Sequence, residues 1–258
     1  MKVIIIPYSF DNYAYLIICE KSGKAAVVDP GEFYPVYREL KKHEIRLKAV
    51  YCTHHHGDHI GGLGELVDEF DGLAVYGSVE DAERIQDMNS LLTEKSEISI
   101  GDITGRVFAT PGHTRGSICY LFSDYLFTGD TLFGGGCGRL FEGTALEMYE
   151  SFNKKLKKLP LATKVCFGHE YTAQNLKFAR FVEPDNIEIE GRLADITQKS
   201  GIPLITTPSS IQLECATNPF FRCGEVQVAK TAAEKSHADP SDPLSVFTAI
   251  RFILNFCL

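Results

Sequence analysis

Seven consecutive residues, Thr53-His54-His55-His56-Gly57-Asp58-His59, place four histidines and a carboxylate directly after an apolar run. Imidazole and carboxylate together suit zinc, iron or manganese. Alternate side chains of an extended segment share a face, so His54 and His56 can reach one ion. Gly57 permits a tight turn that would send Asp58 and His59 towards a second. Four donors on one loop do not complete two coordination spheres, and three other places offer more. They are His113 in Pro111-Gly112-His113-Thr114, Asp130 in Thr128-Gly129-Asp130-Thr131, and His169 in Phe167-Gly168-His169-Glu170. Each lies in turn-like text after a strand-like run, with glycine immediately before the donor. Of the eight histidines only His43 and His237 fall outside these places. Those two, and provisionally His55, read as ordinary hydrogen-bonded or surface residues.

Short β-rich runs must deliver these donors. Strands are predicted at 3–6, 14–19, 25–29, 49–53, 74–76, 105–109, 117–122, 125–128 and 164–167, with helices at 35–43, 61–70 and 145–159. Runs that end in Asp29-Pro30-Gly31, Thr53-His54 and Gly129-Asp130 bring polar residues to strand termini, where layered α/β folds assemble their sites. Beyond about Tyr171 the text becomes helical, at 172–182, 188–199 and 244–256. Pro-rich or polar connections are read at 203–219 and 238–243. The division is a catalytic part, 1–170, and a smaller helical part, 171–258.

The formal net charge of −8 disfavours a nucleic-acid partner. The basic cluster Lys154-Lys155-Leu156-Lys157-Lys158 reads as a solvated helix face. With 44% hydrophobic and 23% charged residues in 258, the chain has the composition of a globular protein with a sizeable core. No apolar run approaches the ~20 residues that span a bilayer. Met1-Lys2-Val3-Ile4-Ile5-Ile6-Pro7 is too short an apolar run for a signal peptide and reads as a first strand. The eight cysteines form no C-x-x-C pair, which suits buried thiols in a reducing compartment. The expectation is a cytoplasmic protein without membrane or obligate protein partner.

His54-x-His56-x-Asp58-His59, followed by His113, Asp130 and His169, resembles the metallo-β-lactamase superfamily. That resemblance implies an αββα sandwich with two metal ions between its sheets, zinc foremost, iron or manganese otherwise. It further implies that His54, His56 and His113 hold one metal, that Asp58, His59 and His169 hold the other, and that Asp130 bridges them. Finer text narrows the likeness. Gly136-Cys137-Gly138-Arg139-Leu140-Phe141-Glu142-Gly143-Thr144, Gly168-His169-Glu170-Tyr171-Thr172 and Thr217-Asn218-Pro219-Phe220-Phe221-Arg222 resemble glyoxalase II, the hydroxyacylglutathione hydrolases. The helical C-terminal part is typical of the same family.

The likeness implies hydrolysis of a glutathione thioester such as S-D-lactoylglutathione to D-lactate and glutathione. Arg139, Tyr171 and Arg251 would hold the tripeptide, since an arginine grips a carboxylate with two parallel hydrogen bonds. Water acidified by the metals to a pKa of roughly 7 would be the nucleophile, oriented and deprotonated by Asp58. The G-x-S-x-G elbow of serine hydrolases is absent. Two positions depart from the family: Phe141 stands where tyrosine is common, and Leu254 where lysine is common. Each removes a polar contact to the ligand, and a charge-assisted hydrogen bond is worth about 1.5–3 kcal/mol. The alternatives are a hydrolase of another thioester and an iron-dependent persulfide dioxygenase of the same fold. Against the dioxygenase stand the Gly-Cys-Gly-Arg segment and the helical C-terminal part.

Overall fold

The β2 strand, Asn12–Ile18, is buried along its whole length. Its side chains alternate between two cores: Tyr13, Tyr15 and Ile17 on one face, Ala14, Leu16 and Ile18 on the other. A strand of this kind needs cover on both sides, and the computed structural model, which describes residues 1–198 and 204–257 (backbone only at 256 and 257), supplies it. Strands β1 (Lys2–Tyr8), β2, β3 (Ala25–Val28), β4 (Leu47–Tyr51), β5 (Ala74–Ser78) and β6 (Ser90–Leu92) form one sheet in chain order. Helices α1 (Phe33–Lys42), α2 (Gly57–Ile60) and α3 (Leu63–Glu69) follow strands of this sheet. Val36 and Leu40 of α1 and Leu63 and Leu66 of α3 pack on its outer face with Leu16, Val27, Val50 and Val75.

The second sheet contains β7 (Glu97–Ile100), β8 (Ile103–Ala109), β9 (Ile118–Phe122) and β10 (Tyr125–Gly129). A small hairpin, β11 (Leu132–Phe133) and β12 (Gly136–Cys137), lies outside it. After α4 (Ala145–Glu150) come β13 (Lys164–Phe167), α5 (Thr172–Val182), α6 (Ile187–Gln198) and β14 (Ser209–Ser210), then α7 (Ile211–Thr217), α8 (Val226–Ser236) and α9 (Pro243–Cys257). The second sheet runs in the order β14-β13-β10-β9-β8-β7. Its aromatic side chains meet those of the first: Tyr15 packs on Phe127 at 5.4 Å and Tyr51 on Phe122 at 5.3 Å between ring centroids. The result is an α/β sandwich of two β-sheets between helices, followed by helical C-terminal text.

The helical text does not carry a wholly separate core. Phe220, Phe221, Phe247, Ile250 and Leu254 join the same buried cluster as Phe127, Val165 and Phe167, and β14 pairs with β13.

Four sequence readings change. The predicted helix at 145–159 is α4, capped by Thr144 and Glu147, followed by a π-helical turn (Ser151–Lys155) and a 3₁₀ turn. The wide turn lets the Ser151 hydroxyl donate both to Glu147 O, at 2.9 Å, and to Pro111 O, at 3.1 Å. Helix α8 was missed, because its alanines and polar residues carry a weak apolar pattern. The supposed Pro-rich connection contains β14 and α7, whose N-cap Ser210 accepts the Leu213 amide. Strands β6 and β7, and the hairpin, were also missed; β6 and the hairpin strands are three residues or shorter, too brief for a periodicity to register, and β7 alternates Glu97 and Ser99 with two isoleucines, without a continuous apolar run. The readings at Lys199 and Pro203 lie outside the described residues. Among the described residues, no helix is long and apolar enough to cross a membrane.

Candidate metal centre and substrate cavity

Parallel strands β3, β4 and β5 point their C-terminal ends the same way, and the loop after β4 carries residues 53–59. Gly57 is not a turn residue of unusual conformation here; it opens the short helix α2, which presents Asp58 and His59. Loops after β8, β10 and β13 bring His113, Asp130 and His169 to the same place. At two of these loops glycine is required by space. A Cβ on Gly129, at φ 46°, would press on the Thr53 side chain, and one on Gly168 on the Asp130 carboxylate and the His59 ring.

All seven predicted donors converge. His54 Nε2 lies 3.1 Å and His113 Nε2 3.0 Å from His56 Nδ1. His59 Nε2 and His169 Nε2 are 3.2 Å apart, and Asp58 Oδ2 is 3.3 Å from His169 Nε2. Asp130 lies between the groups, with Oδ1 3.2 Å from His59 and Oδ2 3.5 Å from His113 and 3.4 Å from His169. The sets His54–His56–His113 and Asp58–His59–His169 each offer ligand atoms within 4.8 Å of one another.

The chemistry of the opposite ring nitrogens tests whether this cluster fits metal ions. The Thr53 hydroxyl donates to Asp29 Oδ2 at 2.7 Å, so it accepts from His54 Nδ1 at 3.0 Å. A carbonyl can only accept, so His113 Nδ1 donates to Arg139 O at 2.8 Å. His59 Nδ1 faces Asp29 Oδ2 at 3.1 Å, and His169 Nδ1 faces Asp11 Oδ1 at 2.9 Å. With protons committed to these partners, His54 and His113 turn Nε2 lone pairs towards the cluster, and His59 and His169 can do so once their second proton is released. Asp130 Oδ1, moreover, is buried without a hydrogen-bond partner. Ligand bonds of about 2.0–2.1 Å around a tetrahedral ion separate donors by about 3.3 Å. The donor set fits divalent cations.

Asp29, His54 and His59 also form a compact group. The Asp29 carboxylate, however, accepts the Thr53 amide and hydroxyl, both at 2.7 Å, and meets His59 on the nitrogen away from the cluster. It orients rather than ligates.

Without metals the two groups differ in charge. Burial lowers the pKa of His54, His56 and His113. Burial also opposes charge on His59 and His169, yet Asp130 with Asp29 raises the first to about 10, and Asp130 with Asp58 the second to about 11. The His169 hydrogen bond in turn holds Asp58 well below the usual carboxylate range.

A cavity of about 570 Å³ opens over the cluster. Its lining includes all three predicted substrate residues, Arg139, Tyr171 and Arg251, and both departures, Phe141 and Leu254. Tyr171 stacks on His169 at 4.9 Å and 5°. Burial and then Asp11 push its phenol up to about 12, so it stays a donor. Arg251 and Leu254 share one face of α9. Arg251 is only 4% exposed, donates to Asn255, and keeps a buried Nε without a hydrogen-bond partner. Phe141 lies edge-on to His56 and His113, at 5.6 and 5.3 Å. Burial pushes the Cys137 thiol up to about 11 against the pull of Arg251, so this thiol stays protonated in the cavity wall.

The family model of the metallo-β-lactamase superfamily matches residues 9–169, and that of the hydroxyacylglutathione hydrolase C-terminus matches residues 170–255. A hydroxyacylglutathione hydrolase of Gloeothece citriformis is 42% identical, covering 97% of this chain and 98% of that protein. This chain belongs to the hydroxyacylglutathione hydrolase family. Another hydroxyacylglutathione hydrolase, from Gloeobacter violaceus, is 42% identical over 93% of this chain and 94% of its own. Among solved structures, ETHE1 from Myxococcus xanthus is 32% identical with a TM-score of 0.66, over 85% of this chain and 84% of that one.

In this member of the family, sequence reasoning missed Asp11 and Thr53 as orienting partners, and noticed Asp29 only as a polar strand end. A lone aspartate 158 residues from His169 carries no local signal of that partnership. His55 lies between two donors but turns away, 3.0 Å from Asp81.

Proposed function

We propose that the protein hydrolyses S-(2-hydroxyacyl)glutathione thioesters, S-D-lactoylglutathione above all, to the 2-hydroxy acid and glutathione. The carrying observation is the convergence of two three-donor groups on Asp130 beneath a cavity lined by Arg139, Tyr171 and Arg251. His54, His56 and His113 would hold one divalent ion and Asp58, His59 and His169 the other, with Asp130 shared. Zinc suits the nitrogen-rich sets best, and iron or manganese can take the same places. When bound, the ions supply a lowered water pKa and positive charge for the developing oxyanion.

The side chains do the rest. Asp58, half exposed to the cavity and held by Asn12 Nδ2 at 3.0 Å, orients the attacking water and accepts its proton. The carbon–sulfur bond then breaks, the sulfur takes the proton held by Asp58, and the thiol departs towards the cavity mouth. Arg139 and Arg251 meet the carboxylates of the tripeptide, and the Tyr171 hydroxyl donates to it. Phe141 and Leu254 offer no polar atom, so these three residues, beside Gln174 and Asn175 in the same lining, carry recognition of the thiol carrier.

A reducing, cytoplasmic setting suits the seven free cysteines among the described residues, six of them buried. The reading is tested by steady-state hydrolysis of S-D-lactoylglutathione, with metal content measured on the same sample. A kcat/KM of about 10⁴ M⁻¹s⁻¹ or more is expected. Negligible turnover by protein holding two metals per chain would move the substrate to another thioester.

A further inference from the structure

The β11–β12 hairpin forms part of the cavity wall, and three residues of the helical text grip its turn. Asn175 Nδ2 donates to Gly134 O at 3.1 Å, Gly135 N donates to Glu214 Oε2 at 2.8 Å, and Asn218 Nδ2 donates to Gly136 O at 3.0 Å. Glu214 is fully buried. Its Oε1 accepts from Arg192 Nη2 at 2.8 Å and from Ser209 Oγ at 2.5 Å, while Oε2 also accepts from Asn218 Nδ2 at 3.0 Å. Arg192, 8% exposed, donates in addition to Thr217 Oγ1 at 2.6 Å.

Burying two charges costs solvation that their attraction does no more than offset, and the best-attested use of such pairs is to set register. The register set here matters to the cavity. Phe133, before the turn, packs edge-on to Tyr171 at 5.3 Å and to His169 at 6.0 Å. Beyond the turn, Gly138 N bonds Thr131 O at 3.2 Å, and Arg139 supplies both a cavity cation and the carbonyl that orients His113.

We infer that Glu214 is a positioning residue for the substrate cavity, acting through the Gly135 amide on the hairpin that carries Phe133 and leads into Arg139. The inference rests on the reading of this cavity as a thioester site. A displacement of a fraction of an ångström in this wall is enough to alter substrate placement.

Two conservative variants separate positioning from stability. Glu214→Gln keeps an acceptor within reach of Gly135 but loses the charge facing Arg192. Glu214→Asp keeps the charge and withdraws it by one methylene; the side chains of Arg192, Ser209 and Asn218 can follow, whereas the backbone amide cannot. For Glu214→Asp we expect a roughly tenfold higher KM for S-D-lactoylglutathione, kcat within about threefold and unchanged metal content. Amide exchange at Gly135 should accelerate while Val165 in β13 stays protected. Glu214→Gln should lower Tm yet keep the wild-type KM and a protected Gly135. The idea is overturned if Glu214→Asp leaves KM and Gly135 exchange at wild-type values, or if Glu214→Gln raises KM equally. Wild-type turnover in the same assay tests the substrate reading separately. If the wild type does not hydrolyse the thioester, the Gly135 exchange of the two variants still decides the role of Glu214.

Discussion

His54, His56 and His113 form a set of three imidazoles whose pKa values burial lowers, whereas Asp58, His59 and His169 form a set that carries charge before any metal arrives. Asp130 and, for His169, Asp58 raise the charged pair most, and the groups behind the rings add to the difference. His54 and His113 lean on neutral acceptors, the Thr53 hydroxyl and the Arg139 carbonyl. His59 and His169 lean on carboxylates, Asp29 and Asp11. A carboxylate behind an imidazole raises its basicity and, without a metal, holds a proton on it. The two halves of one cluster would therefore meet a metal differently: one offers free lone pairs, the other must first release protons.

The largest effect should come from the residue common to both halves. Asp130→Ala is expected to lower kcat/KM by on the order of a thousandfold or more and to reduce metal content to one ion per chain or fewer. Retention of two metals with full activity would dissolve the comparison. His59→Ala and His54→Ala then sharpen it, each emptying its own half first when metal content is measured by atomic absorption.

Acidity separates the halves next. His59 and His169 have raised pKa values, about 10 and 11, so the metal-free protein holds both protons at pH 7. Filling their half releases them, and its affinity should fall by about a hundredfold for each unit the pH drops between 9 and 7. The three-histidine half should change little over that interval. Calorimetry in buffers of different ionisation heat counts the protons, and equal counts for both halves would contradict the distinction. The same protons stabilise the metal-free fold. Their contribution is full below the unfolded histidine value of about 6.5 and disappears as the pH rises through the folded values.

Smaller effects follow from the supporting carboxylates and then from the cavity. Asp11→Asn, behind His169, should weaken that half by about 10- to 100-fold in metal affinity and leave the first equivalent nearly unchanged, as metal titration would reveal. Arg251→Ala, remote from both halves, should raise KM roughly tenfold with kcat and metal content unchanged. A fall in kcat instead would tie α9 to the metal centre rather than to the thiol carrier.

Much of the centre was legible in the residues alone. Histidines and aspartates clustered after apolar runs, each singleton preceded by glycine, are rare enough to suggest a donor set, and the structure brings all seven side chains together. Regular strands announced themselves by their apolar runs, as β1, β2 and β13 did. Helix α8, the π turn behind Pro111 and the two-residue strands did not, because nothing local distinguishes them.

What the sequence by itself determined is the inventory: which donor atoms exist, their order along the chain, and which arginines an acidic chain has to offer. Only the tertiary structure decided which nitrogen of each ring faces the cluster and which carboxylate stands behind it. It also decided that Arg251 and Leu254 enter the same cavity and that Glu214 grips a turn 79 residues away. The physical reason is one of range. Residue type and short spacing set what a side chain can donate or accept, while protonation and orientation depend on partners that meet only when two sheets and the C-terminal helices close on one another.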